Sequence, residues 1–540
     1  MTEPVVGLAQ MLQLGIPRRP RHALPGVLRA LLGRPRATVE ILAARLQGKR
    51  LRSRQKLAAL IGIDHRLALP PKILDGFPTA PGGPGDGFRL FGGGLLVAGA
   101  AARIADAFAA DPELQAIYGD ALIQDHPRGP VRPLLPPAFD PELLAAVDYL
   151  APLLACRPGA LAPETQPNGP ADAAFQIAER HGASAIGHLP EILTIRRGDP
   201  VDPVSSAGEG GRNRHRDALR RHLDRTGRAG SRIMAGEGGL LQVEHPLPDP
   251  RPLVSVIVRL RDRLDLLRPC LDSLAASTDW PNLEILVCDN DSREPETLAF
   301  LKTLEREGRG GVVPCPGPFN FAAMNNAAAA RARGALLVFV NNDVEAFRPD
   351  WLARMAREAL RPEIGAVGVK LLDGEGRIQH GGIVLGTGGL VTHAHRHFPA
   401  DAPGYLAGLR ATHAVSAVTA ACLMVEAKKF HSVGGFDDAV FAVDFNDVDL
   451  CLRLNAAGLR TLLVPGAVLH HRESASRRWT PEARARHERE IAALKRRWGP
   501  LLAQDPHYHP GFDPDLSTHA RLRAGFWEAA GPAMVRRTPA

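Results

Sequence analysis

Two carboxylates, Asp447 and Asp449, stand two apart in the stretch Phe445-Asn446-Asp447-Val448-Asp449-Leu450-Cys451-Leu452-Arg453. Leu450, Leu454 and Ala457 continue at helical spacing, and Gly458 sits where such a helix would stop, so both acids open an amphipathic helix. The helix dipole favours carboxylates in a first turn whatever their role, and alone the pair reads as ordinary helix-start acids. Three other polar clusters change that balance. Arg259, Arg261, Asp262 and Arg263 follow the apolar run Val254–Val258; Asp289, Asn290, Asp291 and Ser292 follow Leu283–Cys288; Asn341, Asn342 and Asp343 follow Ala335–Val340. Basic groups at such points can meet phosphate, and a carboxylate can hold a ribose hydroxyl, a base edge or a divalent cation. Turn chemistry accounts for Asn or Asp at any one of them, but three clusters at successive strand ends point to a ligand.

These clusters need strands and helices to bring them together. Helical pattern fills Leu264–Ala276, 294–307 and Ala322–Arg333 between the apolar runs. That alternation predicts an α/β fold with a parallel sheet covered on both faces, whose ligands bind at the carboxyl ends of the strands. Upstream, residues 88–197 read as a small mixed α/β unit. Its expected helices lie at 96–110, 140–150 and 171–181, with strands at 114–118 and 191–195. A Gly/Ser/Arg-rich linker follows over 198–250, with one basic helix at Asn213–Arg225. Residues 1–75 are basic, with amphipathic helical pattern around Leu42, Leu46 and Leu57–Leu60. Residues 481–540 form a helical extension, strongly charged over 480–497, with a short helix expected around 519–529.

Composition bounds the class. The 540 residues are 45% hydrophobic, enough for packed cores. A net charge of +8 suits nucleotide phosphates or an anionic membrane surface and does not indicate nucleic-acid binding. The six cysteines are scattered without a C-x-x-C pair, which favours buried free thiols over disulfides or zinc. The chain has no run near 18 apolar residues and no signal-peptide core, so a cytoplasmic protein is expected. Its basic 1–75 region would serve for peripheral contact at the inner face of the cell membrane.

The segment from Val254 to Ser476 resembles the family 2 glycosyltransferases, and most closely their rhamnosyltransferase-like branch serving bacterial surface polysaccharides. The resemblance rests on Val254-Ser255-Val256-Ile257-Val258, Cys288-Asp289-Asn290-Asp291-Ser292 and Gly317-Pro318-Phe319-Asn320-Phe321 through Asn325-Asn326. It continues through Val340-Asn341-Asn342-Asp343-Val344, Ser416–Cys422, Val433-Gly434-Gly435-Phe436-Asp437, the opening stretch and His470–Ser476. It implies a GT-A catalytic domain over 251–480, with Asp447 as general base and Asp449 supporting the loop or acceptor. Arg261, Asp262, Asp289, Asn290, Asn326 and Asn342 would line the nucleotide sugar, and Asp343 with His470 would hold a divalent cation, Mn2+ or Mg2+. The implied reaction moves a sugar, rhamnose among the candidates, from a nucleoside diphosphate to a cell-surface or lipid-linked glycan with inversion. The alternative is a catalytically inactive, glycan-binding scaffold. A nucleotidyltransferase fits less well, because Asp447 and His470 suit an acceptor-activating site.

Three departures stand out. The family commonly has Pro at the position of Arg259, Gly or Asn at Asp291, and a carboxylate where Asn446 precedes the base. The metal element Asn341-Asn342-Asp343 keeps a single carboxylate. The histidines of His393-Ala394-His395-Arg396-His397 read as a polar loop and His380 as structural. Residues 88–197 resemble the second half of another family 2 domain, through Ile117-Tyr118-Gly119-Asp120, Phe139–Leu144 and His188-Leu189-Pro190-Glu191. Where acids are needed this unit reads Gly169-Pro170-Ala171-Asp172-Ala173-Ala174, so a degenerate, non-catalytic module is expected.

Overall fold

The computed structural model describes residues 35–48, 53, 56, 69–80, 87–124, 126–197, 208–472, 480–514, 519, 522–523, 526 and 535–538. In the second half of the chain, Val254–Leu260 (β1), Leu283–Asp289 (β2), Gly311–Pro314 (β3) and Leu336–Val340 (β4) lie parallel in the order β3-β2-β1-β4. Helices Leu264–Ala276 (α1), Pro295–Arg306 (α2) and Phe321–Ala329 (α3) connect them. The apolar runs are continuous because both sheet faces are covered. Val254, Val256, Val258 and Leu260 pack with Leu267, Leu271 and Trp351, while Ile257 packs on the opposite face with Ala322, Met324 and Phe339.

The chain moves outward from β1 to β2 and β3, then returns to place β4 on the other side of β1. The crevice at the strand ends between β1 and β4 is therefore the switch point where ligands of such sheets bind. Beyond β4 the sheet is extended by Val344–Ala346 (β5), Ile364–Leu372 (β6), Cys422–Glu426 (β7) and Arg460–His471 (β8), in the order β4-β7-β6-β8-β5. Pairs β4/β7, β6/β7 and β5/β8 are antiparallel, and β6/β8 is parallel. Helices Trp351–Ala359 (α4), Asn446–Ala456 (α5) and Pro481–Ala503 (α6) pack around this half. The mixed α/β sheet is the one the GT-A resemblance implies.

The unit at 88–197 repeats part of this plan. Ala116–Gln124 runs parallel to Ile186–Arg197 and antiparallel to Leu154–Cys156, as β6 does to β8 and β7. The central parallel pairs have nine and twelve residues in both copies. Helix Pro170–His181 precedes Ile186–Arg197 as α5 precedes β8. The strand expected at 114–118 is longer and later than its pattern suggested, because Ala121, Leu122 and Ile123 continue it through the core.

Residues 198–250 are not a simple linker from residue 208 onward. Helix Gly208–Arg225 and the hairpin Arg232–Ala235/Leu241–Glu244 sink Leu219, Leu223, Leu240 and Leu241 into the core of the N-terminal unit. Arg357 on α4 pairs with Glu244 at 2.7 Å. Across the same junction Glu142 accepts from Arg361 at 2.6 Å and also binds Arg460, while Asp140 accepts from the Ala414 N–H at 2.8 Å. Beyond α6 the chain crosses back: Arg536 exchanges both backbone hydrogen bonds with His188, at 2.8 and 2.7 Å. The short helix expected at 519–529 falls largely outside the described residues, as do most of residues 1–75. No described helix is long and apolar enough to cross a membrane.

Candidate active site

Strand β4 ends at Val340, and the next three residues turn through the crevice. Asp343 is buried, and its Oδ1 lies 3.1 Å from Nε2 of His471. Asp343 lies in the turn before β5, outside the ladder, and this histidine, not His470, meets its carboxylate. In the β5/β8 ladder Val344 faces His471 and Glu345 faces His470, and successive side chains point to opposite faces. His470 packs against the Phe347 ring instead, with centroids 4.6 Å apart. Where the sequence points to Asp343 with His470, the structure brings His471 to Asp343. A carboxylate oxygen and an imidazole nitrogen suit Mn2+ or Mg2+ only if further oxygens come from the ligand. The donor set fits a cation completed by diphosphate oxygens.

Beside this pair Asn341 is held by two side chains. Its Oδ1 accepts from Nη2 of Arg259, and its Nδ2 lies 3.3 Å from Nε2 of His471. Arg259 projects from the last turn of the β1 pleat on the Ile257 face and stacks over the Phe321 ring at 3.5 Å. Burial lowers its pKa to about 10, while the negative charges of Asp343 and Asp447 act in the opposite sense. The group stays cationic at neutral pH.

Phe445, in left-handed conformation, turns the chain into α5. Asp447 Oδ2 accepts from the Ala420 N–H at 3.0 Å, and Oδ1 from the Val448 N–H at 2.9 Å. Desolvation raises its pKa above the ordinary carboxylate range, against the pull of those N–H groups, which moves it toward the range of a working base. Asp449 is different. It is fully buried and accepts from Arg453 Nε (2.7 Å), Arg497 Nη1 (2.8 Å) and Trp498 Nε1 (3.0 Å). Those bonds join α5 to α6, so Asp449 holds the helix that carries Asp447. Sequence spacing did not separate the two acids; their partners do.

The nucleotide side divides similarly. Arg261 is exposed on the loop after β1. Asp262 Oδ1 accepts from the N–H groups of Arg293 (2.7 Å) and Glu294 (2.9 Å), which ties that loop to the turn before α2. Asp289 ends β2 and accepts from the Ser292 N–H at 3.2 Å. Asn342 stands in the β4 turn beside Asp343. Asn290 and Asn326, assigned to the nucleotide sugar by sequence, have their amides engaged elsewhere. Asn290 donates to the carbonyls of Cys315 (2.8 Å) and Gly317 (3.0 Å). Asn326 donates to Phe436 O and accepts from Phe436 N, at 2.8 and 2.9 Å, clamping α3 to the Gly435–Phe436 loop. Each shapes the crevice by fixing a loop.

The histidine loop does not converge on one point. His393 meets His380 (Nδ1 to Nδ1, 2.7 Å), His395 stacks on His519, and His397 lies 3.9 Å from Asp373. Burial holds His380 well below the usual imidazole range. Among the described residues one group of three metal-capable side chains does converge, Asp120, His188 and His509, far along the chain from the β4 turn. There Asp120 Oδ1 lies 2.9 Å from His188 Nε2 and 3.0 Å from His509 Nε2. The Gly511 N–H donates to Nδ1 of His509 at 2.9 Å, so the ring proton resides on Nε2 and is given to Asp120. That arrangement is a hydrogen-bonded knot between the N-terminal unit and the end of the chain.

The switch-point crevice, a carboxylate–imidazole pair at the β4 turn and a backbone-held carboxylate at the start of α5 belong to one α/β domain. Residues 255–381 match the family described as Glycosyl transferase family 2. The chain is 39% identical over 357 residues to the uncharacterized protein y4gI of Sinorhizobium fredii, a match covering 63% of this chain and 38% of that protein. It is 37% identical over 429 residues to the O-antigen biosynthesis protein RfbC of Myxococcus xanthus, covering 76% of this chain and 32% of that protein. The chain thus spans about a third of the length of these curated relatives. Among solved structures it aligns with the mannosyltransferase PcManGT from Pyrobaculum calidifontis in complex with GDP-Man and Mn2+. That alignment has a TM-score of 0.34 and 18% identity over 53% of this chain and 72% of that one. GalNAc-T7 with UDP, GalNAc and Mn2+ aligns with a TM-score of 0.37 and 14% identity, over 48% of this chain and 53% of that one.

Proposed function

We propose that the domain at 251–480 transfers a sugar from a nucleoside diphosphate to a hydroxyl of a cell-surface or lipid-linked glycan, inverting the anomeric centre. The observation that carries this reading is Asp447. Its carboxylate is held open by two backbone N–H groups, raised toward basicity by desolvation, and within electrostatic reach of the same Arg259 that senses Asp343. Asp447 accepts the proton of the acceptor hydroxyl as its oxygen bonds to the anomeric carbon. The bond from that carbon to the diphosphate breaks, and its electron pair leaves with the diphosphate oxygen. General-base assistance of this kind is worth about 10²–10⁴ in rate.

Asp343 and His471 are the residues that would hold a divalent cation, which when bound supplies Lewis-acid charge to the diphosphate. Arg261, Asp262, Asp289 and Asn342 stand at the strand ends where the nucleotide would lie. Surface polysaccharide as the acceptor class is supported by the likeness to RfbC, and rhamnose as donor by the branch the motifs resemble. The unit at 88–197 is a non-catalytic copy of the domain's second half. Membrane contact through the N-terminal region is supported by helix Pro35–Leu46, which exposes Val39, Leu42 and Leu46 on one face.

The test is transfer from a panel of nucleotide sugars by the full chain and by Asp447→Asn. Loss of turnover with nucleotide binding intact supports the reading. Binding of a glycan with no turnover in the wild-type protein would instead establish the inactive scaffold.

A further inference from the structure

Arg259 is out of place by ordinary rules. It is a buried arginine on a central strand, at a position where apolar or ring side chains would pack without desolvation cost. One arm of its guanidinium donates to Asn341, and the face lies on the Phe321 ring. Nη1 is buried and has no hydrogen-bond partner. Among the described residues no carboxylate forms an ion pair with it; Asp343 and Asp447 act on it at longer range. Leaving a buried donor unmade is unfavourable, and more so when it is charged, so an orphan of this kind at a ligand crevice calls for an occupant. The occupant's chemistry follows from the neighbours. Arginine's planar fork matches a carboxylate or a phosphate, and the crevice is the switch point where phosphates sit. The metal element is short of negative charge here, with Asn341 and Asn342 preceding a single Asp343, and a bound cation would share the site with a fixed protein charge.

Resting on the glycosyltransferase reading above, we propose that Arg259 binds the donor's diphosphate directly through Nη1. Part of the leaving-group charge is then neutralised by the protein, and diphosphate affinity persists when the divalent cation is removed. Asn341 keeps the guanidinium aligned, and Phe321 fixes its plane.

The experiment uses the full chain and isothermal titration with UDP, GDP, ADP and dTDP, each beside its monophosphate, in Mn2+ and again in excess chelator. With chelator the wild-type protein is expected to keep at least a tenfold preference for the best diphosphate over its monophosphate. Arg259→Gln is expected to lose that preference, and Arg259→Lys to retain part of it as a point charge without the fork. A preference that vanishes in chelator for the wild-type protein overturns the proposal, and so does its survival in Arg259→Gln. Should Arg259→Gln fail to fold, the wild-type chelator comparison and Arg259→Lys still decide. Failure of every diphosphate to bind even in Mn2+ would sink the donor reading itself, which is a different outcome.

Discussion

Asp447 and Asp449 are expected to fail in opposite ways when replaced. Asp449 accepts three hydrogen bonds, two from arginines, and bonds to charged groups are worth about 1.5–3 kcal/mol each. Two observations lower the total. Arg453 keeps bonds to the carbonyls of Val433 (2.5 Å) and Gly435 (2.6 Å), and Arg497 keeps Asp437 at 2.8 Å. Both arginines are also partly solvated, with side chains 21% and 35% exposed, so solvent screens what they lose. Asp449→Ala should therefore cost about 3 kcal/mol, the low end for breaking a buried pair. Asp447→Asn removes a desolvated negative charge and leaves an amide oxygen to accept one of its two N–H groups, so stability should change by less than about 1 kcal/mol. Turnover should nevertheless fall about 10²–10⁴-fold. The assay is paired: urea unfolding followed by tryptophan fluorescence, for which Trp498 is a local probe, and initial rates of sugar transfer. The assignment is refuted if Asp447→Asn keeps wild-type turnover, or if it destabilises the fold as much as Asp449→Ala.

Other consequences follow from the inter-unit junction and the N-terminal region. Burial alone would raise the Glu142 pKa, and Arg460 and Arg361 outweigh it and hold it below the usual range; Glu142→Ala strands both arginines and should cost about 3–5 kcal/mol in urea unfolding. His245, buried at the same junction near Arg361, Arg228, Glu142 and Glu363, is lowered to about 3 by burial and by the two arginines. Its folded value lies below the unfolded value near 6.5, so its contribution is complete above pH 6.5. It is lost at about 1.4 kcal/mol per pH unit as pH falls, and His245→Asn should flatten the stability slope between pH 6.5 and 5. If residues 1–75 contact membranes, the full chain should co-sediment with anionic vesicles in a salt-sensitive way, and Leu42→Glu with Leu46→Glu should abolish it.

The sheet was legible because β1, β2 and β4 are buried on both faces and so appear as unbroken apolar runs ending in polar turns. What pattern could not supply was pairing. β7 and β8 are separated by α5, and β6 from β7 by a long loop, so their order depends on contacts distant in sequence. The segment after residue 208 read as a linker because its helix is overwhelmingly basic, its buried apolar residues being Ala218, Leu219 and Leu223. At the site, Asp343 and Asp447 stand out by position, and the structure sets His471 beside Asp343 where the sequence points to His470. Alternation along β8 could have raised the question, but only the path of the turn that carries Asp343 answers it. Arg259 was visible as a departure from the family pattern, and nothing in the sequence says that one of its nitrogens is buried without a partner.

The repeated topology also decides what the N-terminal unit can do. In the C-terminal copy β7 lies against β4, and the turn after β4 supplies Asn341 and Asp343. In the N-terminal copy the equivalent strand, Leu154–Cys156, pairs instead with the three-residue strand Arg89–Phe91, antiparallel. Among the described residues no parallel strand reaches that edge, so none of their strand ends is there to present a metal-binding carboxylate. The first turn of its late helix reads Pro170-Ala171-Asp172-Ala173, and Asp172 is committed to Arg221 at 2.8 Å and to the Asn168 N–H at 2.9 Å. Placing an acid at Ala171 or Ala173 therefore restores a residue without its site. Ala171→Asp and Ala173→Asp, made in the Asp447→Asn background, should recover no transfer at all, and both buried positions should lose stability from an unpaired carboxylate. Measurable turnover in either double variant would show that the copy retains a donor site that its strand order does not provide.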